Sequence, residues 1–328
     1  MPALSQDIHT ERLHIIDQNP TLEWMVKYWY TELNKAFIEE KLDIKMYSLK
    51  ASETAKNTCE YTEENEYMIR FNEEKQANEV ALINIFRAVQ GEGPEQNFKT
   101  VFCRLMYCNA RCPWCDTKEC WTLEKLLQLY PERGSIEKSV KWLTAKEIFE
   151  EVENIELCWP HKSICITGGE PLMEENKEFM IKELIPLFVN AHYSIDIETN
   201  GTIDYTPYKE AFADARIVDL TGHREGVYLA ADWKMPASKM NKLMVKNNLN
   251  ILSEADILKV VMTDDPQDWA ELERLISLKI KAPIYISPCF NAVTMSKIPE
   301  FIQEHPEANL RAQIQTHKIF YDFNKKDV

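Results

Sequence analysis

The chain has 328 residues, of which 45% are hydrophobic and 28% charged, and a formal net charge of −15. That length buries roughly three quarters of the unfolded surface in one core, and the composition is that of a globular protein. An acidic balance with no countering run of Lys and Arg argues against a nucleic-acid partner, and no apolar run approaches the ~20 residues of a membrane span.

Taken in order, residues 1–79 read as an extension without recognisable chemistry. Thr21 follows Asn19-Pro20 as a helix cap, and Leu22, Met25, Val26, Trp29, Leu33, Ala36 and Phe37 keep helical spacing, which predicts one helix over 21–42. Its apolar stripe reads as core packing or a subunit interface. The segment 51–79, rich in Glu, reads as a solvated linker or loop. The start lacks the basic and apolar regions of a secretory leader. Nine cysteines, mostly scattered singly, suit a reducing compartment, so a cytoplasmic location is expected.

The main domain is expected over 80–328. Val80–Arg87 and Thr100–Leu105 read as strands, with the Gly91/Gly93 turn between them. Residues 118–143 read as an insertion with a short helix at Leu123–Leu129. Thr144 and Glu147 form a capping box that opens a helix to about 154. Strands are then predicted at 163–167, 193–197, 256–262 and 283–287, with a last one at 311–315. Helices are predicted at about 174–190, 267–278 and 295–304. Repeated βα units imply a parallel sheet with right-handed crossovers, and about six are too few to close an eight-stranded barrel. The expected fold class is therefore α/β, an open partial (β/α)6-type barrel behind a mainly helical N-terminal extension.

Chemistry concentrates in Gln90–Thr117, around Cys108, Cys112 and Cys115, a C-x3-C-x2-C triplet. Three thiolates at this spacing can hold a cubane iron–sulfur cluster and leave one iron open to a small ligand. Zinc is the alternative, but it usually takes four protein ligands. Cys120 could be the fourth, and no histidine lies between residues 15 and 160.

The triplet resembles that of the radical S-adenosylmethionine (SAM) enzymes. With Gln90-Gly91-Glu92-Gly93 and Phe102-x-Arg104-Leu105 before it, and Cys115-Asp116-Thr117 at its end, the region resembles 7-carboxy-7-deazaguanine synthase. That resemblance covers 80–328 and implies a 4Fe-4S cluster, SAM on its open iron, and Mg2+ on Thr117. The implied reaction converts 6-carboxy-5,6,7,8-tetrahydropterin to 7-carboxy-7-deazaguanine. A 5′-deoxyadenosyl radical takes hydrogen from C6, the ring contracts, and ammonia is lost. An external one-electron reductant such as a flavodoxin and a homodimer are implied as well.

In parallel β/α folds reactive groups collect at the carboxyl ends of strands, and the unusual residues fall there. The resemblance implies SAM contacts for Trp114 and Asp116, for Gly168, Gly169 and Glu170 of the GGEP motif, for Glu198, for Asp232 and Lys234, and for Ser287. The paired glycines are read as backbone that approaches the ligand. Substrate contacts are implied for Gln90, Gly91, Glu92, Arg104, Thr167 and His317. Arg104 offers a fork suited to a carboxylate, and His317 stands in a Q-x-H-K motif.

The match departs at three places. Asn97 and Tyr107 stand where the family pattern has glycine, and Ala237-Ser238-Lys239 replaces Ser-Ser-Gly. Asn tolerates a left-handed turn, whereas Tyr107 is expected to change packing at the cluster edge and reshape the mouth of the site. Two other functions compete: a glycyl-radical-activating enzyme, which would not need the QGEG and Q-x-H-K pair, and a zinc-binding scaffold.

Overall fold

The computed structural model describes residues 48–52, 58–62, 78–129, 140–156, 162–218 and 222–320. The chain divides into two compact units, Met1–Lys75 and Gln76–Val328. In the first, β1 (Ser48–Ser52) and β2 (Thr58–Thr62) pair antiparallel, Ser48 opposite Thr62 and Ser52 opposite Thr58. This corrects the expectation of a plain linker over 51–79. Glutamates mark the segment as acidic, but β2 itself is Thr-Cys-Glu-Tyr-Thr, residue types that pleated strands favour. The helix predicted over 21–42 lies outside the described residues.

The second unit is built on β3 (Glu79–Val89), β4 (Lys99–Leu105), β5 (Lys141–Thr144), β6 (Ser163–Gly168), β7 (Ser194–Thr199), β8 (Arg216–Ile217), β9 (Arg224–Asp232), β10 (Ile257–Met262), β11 (Ile284–Pro288) and β12 (Leu310–Ala312). Their order is β12-β11-β10-β9-β7-β6-β4-β3-β5, with β8 paired to β9. From β12 to β4 the neighbours are parallel, while β3 lies antiparallel to β4 and to β5. The sheet curls. The loop after β3 reaches across to the far edge, where the Gly93 amide donates to Gln313 Oε1 at 2.7 Å and Gln96 Nε2 donates to the Ile314 carbonyl at 2.9 Å. Loop contacts thus join the two flanks of an open barrel that no strand ladder among the described residues closes.

Each parallel strand sorts its residues by the two-residue period. Val101, Cys103 and Leu105 of β4, Ile195 and Ile197 of β7, and Leu258, Val260 and Met262 of β10 belong to one apolar cluster. Ile148, Val152, Leu184, Phe188, Leu272, Leu275 and Ile298 from the helices complete it. The intervening residues, Arg104, Glu198, Lys259 and Ser287 among them, line the interior.

Local signals read correctly where they were strong. The Thr144 amide and hydroxyl both donate to Glu147 Oε2, at 2.9 and 2.8 Å, and the Glu147 amide returns a bond to Thr144 Oγ1, a reciprocal cap on the helix Ala145–Glu156. Asp265 caps Pro266–Ser277 by accepting from the Gln267 amide. The helical run predicted at 174–190 carries a π turn at Met180–Leu184. Three sheet strands escaped prediction, β5, the two-residue β8 and β9. The last of these starts Arg-Glu-Gly, and Gly226 at φ +102° breaks the alternation just where the strand enters the sheet.

Candidate active site

The chemistry-bearing loops converge on one cavity of about 360 Å³ at the carboxyl ends of β6, β7, β9, β10 and β11. The loop Met106–Thr117 leaves β4 and is pinned at both ends. The Met106 amide donates to the Ala81 carbonyl at 2.8 Å, and the Cys108 amide to that of Trp121 at 3.4 Å. A tight turn brings the Cys115 amide to the Cys112 carbonyl at 3.2 Å. Cys108, Cys112 and Cys115 are all half-buried and all line the cavity. Burial pushes the Cys108 and Cys112 thiols up, while the Ala110 amide and Asn200 on Cys108, and the Lys234 ammonium near Cys112, act in the opposite direction.

The donor set fits an iron–sulfur cluster better than zinc. Zinc thiolates about 2.3 Å from the metal stand roughly 3.8 Å apart. The three sulfurs here are not among the described groups whose ligand atoms all lie within 4.8 Å of one another. Cys120 is fully buried and does not line the cavity. The hydrogen bonds to Cys108 Sγ from the Ala110 amide (3.4 Å) and Asn200 Nδ2 (3.5 Å) are of the kind that tune a cluster's sulfurs. Thr117 Oγ1 sits 3.7 Å from Cys115 Sγ and donates to the Gly168 carbonyl at 3.4 Å, so a hard cation there would meet a hydroxyl oxygen on the cavity wall.

The strand ends supply the opposite wall. Gly168 has φ +106°, and a Cβ on it would fall 2.4 Å from the Leu105 carbonyl oxygen. One on Gly169 would fall 1.8 Å from that of Tyr107. The glycines therefore let β6 close onto the cluster loop, with the Gly169 amide donating to Leu105 O and the Glu170 amide to Tyr107 O. This packing demand adds to the sequence reading, in which the pair serves ligand approach, and both glycines line the cavity. Glu170 also stands elsewhere than expected: it is fully buried and is absent from the cavity lining. Its carboxylate accepts from Thr199 Oγ1, the Asn200 amide and the Leu172 amide, tying β6 to β7 behind the wall. Burial pushes its pKa up to about 7 against those donors.

Asp232 and Lys234 pair at 2.6 Å. Burial works against the ammonium, but Asp232 and Cys112 hold its pKa above the ordinary lysine value. Trp114, Asp116, Gly168, Gly169, Glu198 and Ser287 line the same cavity, and Ser287 Oγ accepts from Gln313 Nε2 at 3.1 Å.

Gln90, Gly91, Glu92, Arg104 and Thr167 line it too. Gln90 is almost wholly buried, its amide donating to Asp196 Oδ2 at 3.0 Å and its oxygen accepting from the Glu92 amide, so it braces the loop from within. The Arg104 guanidinium lies 4.8 Å from the centre of the Phe86 ring, which stacks on Phe102. Thr167 Oγ1 donates to Glu198 Oε2 at 2.6 Å. His317 opens the short helix His317–Phe320, and its side chain lies outside the described residues. Tyr107 is not among the lining residues, so the expected effect on the mouth is not seen.

Three residues at the site were given no role of their own in the sequence reading, although Gln315 stands in the Q-x-H-K motif. Lys259 ion-pairs with Glu92 and stands 3.7 Å from Glu198 Oε1. Gln315 Nε2 donates to Glu92 Oε1. Asn200 bridges the Cys108 sulfur and Asn109 Oδ1. The signal for Lys259 was available: it is a single charge inside the apolar strand Ile-Leu-Lys-Val-Val-Met.

The model of the Radical SAM superfamily matches residues 105–223. A 7-carboxy-7-deazaguanine synthase of Thermoplasma acidophilum is 31% identical over 242 residues, 73% of this chain and 96% of that protein. One of Clostridium acetobutylicum is 28% identical over 252 residues, covering 75% and 98%. The crystal structure of QueE from Escherichia coli aligns with a TM-score of 0.50 at 18% identity, over 72% of this chain and 94% of that one, a likeness of fold.

Proposed function

Because this chain belongs to the 7-carboxy-7-deazaguanine synthase family, we propose that it converts 6-carboxy-5,6,7,8-tetrahydropterin to 7-carboxy-7-deazaguanine with loss of ammonia. The observation that carries the proposal is that one cavity joins the cysteine triplet, the strand-end residues and the Gln90–Glu92 and Arg104 set. A 4Fe-4S cluster with SAM on its open iron supplies, when bound, a one-electron route to hydrogen-atom abstraction.

The chain's own residues do the rest. Cys108, Cys112 and Cys115 would hold the cluster, and Asn200 and the Ala110 amide would soften the charge on its sulfurs. Asp232 and Lys234, paired and half-buried, present one acceptor and one cation to the amino-acid end of SAM. Gly168, Gly169, Trp114, Asp116 and Ser287 shape the remainder of that pocket. Arg104 meets the substrate carboxylate, with its stem and Phe86 excluding water beneath. Thr117 would hold Mg2+, which would supply positive charge against that carboxylate, while Glu92, Glu198 and Thr167 accept from or donate to the ring. His317 belongs to the same set by its motif. The enzyme works on a small molecule with an external reductant. We take that reductant to be a flavodoxin-like protein, the location to be the cytoplasm and the assembly a homodimer.

The test is an anaerobic assay of the reconstituted protein with the carboxylated tetrahydropterin, SAM, Mg2+ and dithionite, read by mass. The deazaguanine carboxylate with ammonia release is expected. SAM cleavage with the pterin left intact would refute the reading.

A further inference from the structure

Lys259 is 8% exposed and is the only charged side chain on β10. Leu258, Val260 and Met262 point into the apolar core, so the strand's period turns Lys259 inward. Its backbone is fixed as well, the carbonyl accepting from the Trp233 amide at 2.7 Å. Its ammonium touches Glu92 from the loop after β3 and approaches Glu198 from β7. Two acids from distant stretches of chain thus share one cation inside the cavity.

The surroundings make that cation decisive. Facing these groups are Cys165 on β6, Asp196 on β7 and Asp232 on β9, and Arg104 on β4 lines the same cavity with its guanidinium over Phe86. Lys234, the other nearby ammonium, is paired with Asp232 at 2.6 Å. Carboxylates crowded together out of water take up protons unless a cation stands among them. A protonated acid turns an acceptor into a donor, which no longer meets the N–H edge of a heterocycle.

We propose that Lys259 is a positioning residue for substrate selection: it fixes Glu92 and Glu198 as a pair of anionic acceptors aimed at the N–H donors of the ring. The proposal rests on the function given above. Lys259 acts through the two glutamates and needs no contact with the reacting atoms. Burial and the Glu92 charge raise the Glu198 carboxyl, and Lys259 opposes them. Without Lys259 the Glu198 carboxyl ionises only at higher pH.

The experiment compares Lys259→Met and Lys259→Arg with the unmodified enzyme, all with cluster reconstituted. Binding of the carboxylated tetrahydropterin is measured by calorimetry, and kcat and KM are measured across pH. In Lys259→Met, substrate affinity falls at least about tenfold, KM rises more than kcat falls, and the acid limb of kcat/KM moves to higher pH. SAM affinity and iron content stay unchanged. Lys259→Arg recovers most of the affinity and returns the limb. An unmoved limb with unchanged KM in Lys259→Met, or an arginine variant as impaired as the methionine one, overturns the proposal. Should Lys259→Met be insoluble, Lys259→Gln takes its place under the same criteria. Product formation by the unmodified enzyme separates the two readings, since its absence sinks both, whereas product with indifferent Lys259 variants sinks this one alone.

Discussion

Glu92 and Glu95 lie three residues apart on one loop yet serve opposite ends of the barrel. Glu95 is at the foot, where its carboxylate accepts from Ser163 Oγ at 2.7 Å and from Ser194 Oγ, the first residues of β6 and β7. Thr100 Oγ1, 3.1 Å from Ser163, extends the network, and all four groups are buried. Glu92 is at the mouth, tied to Lys259 and Gln315 along the cavity wall. The foot is a network of short neutral donors with every partner supplied from within. The mouth holds ions in pairs that a ligand can share. Stability is concentrated at one end and chemistry at the other.

This contrast makes the ends separable. The largest effect is expected at the mouth, where Cys112→Ala should abolish both the visible absorbance of the reconstituted cluster and all SAM cleavage, with the melting curve of the apoprotein little changed. Arg104→Ala should keep cluster and SAM cleavage but weaken pterin binding by about 30-fold or more, as loss of a buried charge-assisted pair does. Unchanged affinity would remove Arg104 from the site.

At the foot, Glu95→Ala leaves the Ser163 and Ser194 hydroxyls without their acceptor. It should cost about 2 kcal/mol and lower Tm by roughly 4–8 °C, while cluster content per folded molecule stays the same. A foot variant that lost substrate affinity at unchanged Tm would break the comparison. Glu170, behind the wall, gives a pH test. Its folded pKa, pushed up to about 7 by burial, lies above the unfolded value. Its contribution to stability is therefore complete below the ordinary carboxylate range and is lost as pH rises through 7. Glu170→Gln should flatten the decline of Tm between pH 5 and 8, whatever it does to Tm itself.

The smallest effect concerns the departures from the family pattern. Asn97, Tyr107 and Lys239 have φ of +75°, +71° and +62°. The backbone keeps the left-handed conformation for which the pattern has glycine, which Asn97 tolerates and the Tyr107 and Lys239 side chains do not favour. Tyr107→Gly should gain about 1 kcal/mol on thermal melting. No gain would mean that packing of the ring offsets the backbone strain.

Legibility from the sequence followed the strength of local physics. The cysteine spacing, the Thr144 cap and the alternating βα units are short-range signals, and the loop and the strand ends that they place converge on one cavity. Residues whose role depends on partners far along the chain were harder to read. Glu170 looked like a ligand in its motif, yet it spends its oxygens on Thr199, Asn200 and Leu172. Lys259 finds Glu92 across more than half of the chain, a pairing that only the curled sheet creates. β9 was hidden by its charged start, although it carries Asp232 and lies between β7 and β10.

One consequence follows from the way the loop Gln90–Phe98 stoppers the foot. Gln90 bonds Asp196 in mid-barrel, and Glu95 bonds the first residues of β6 and β7, so one short loop carries both a brace to the middle of the barrel and a cap over its strand starts. A change in the length of that loop would displace Glu92 and Glu95 together.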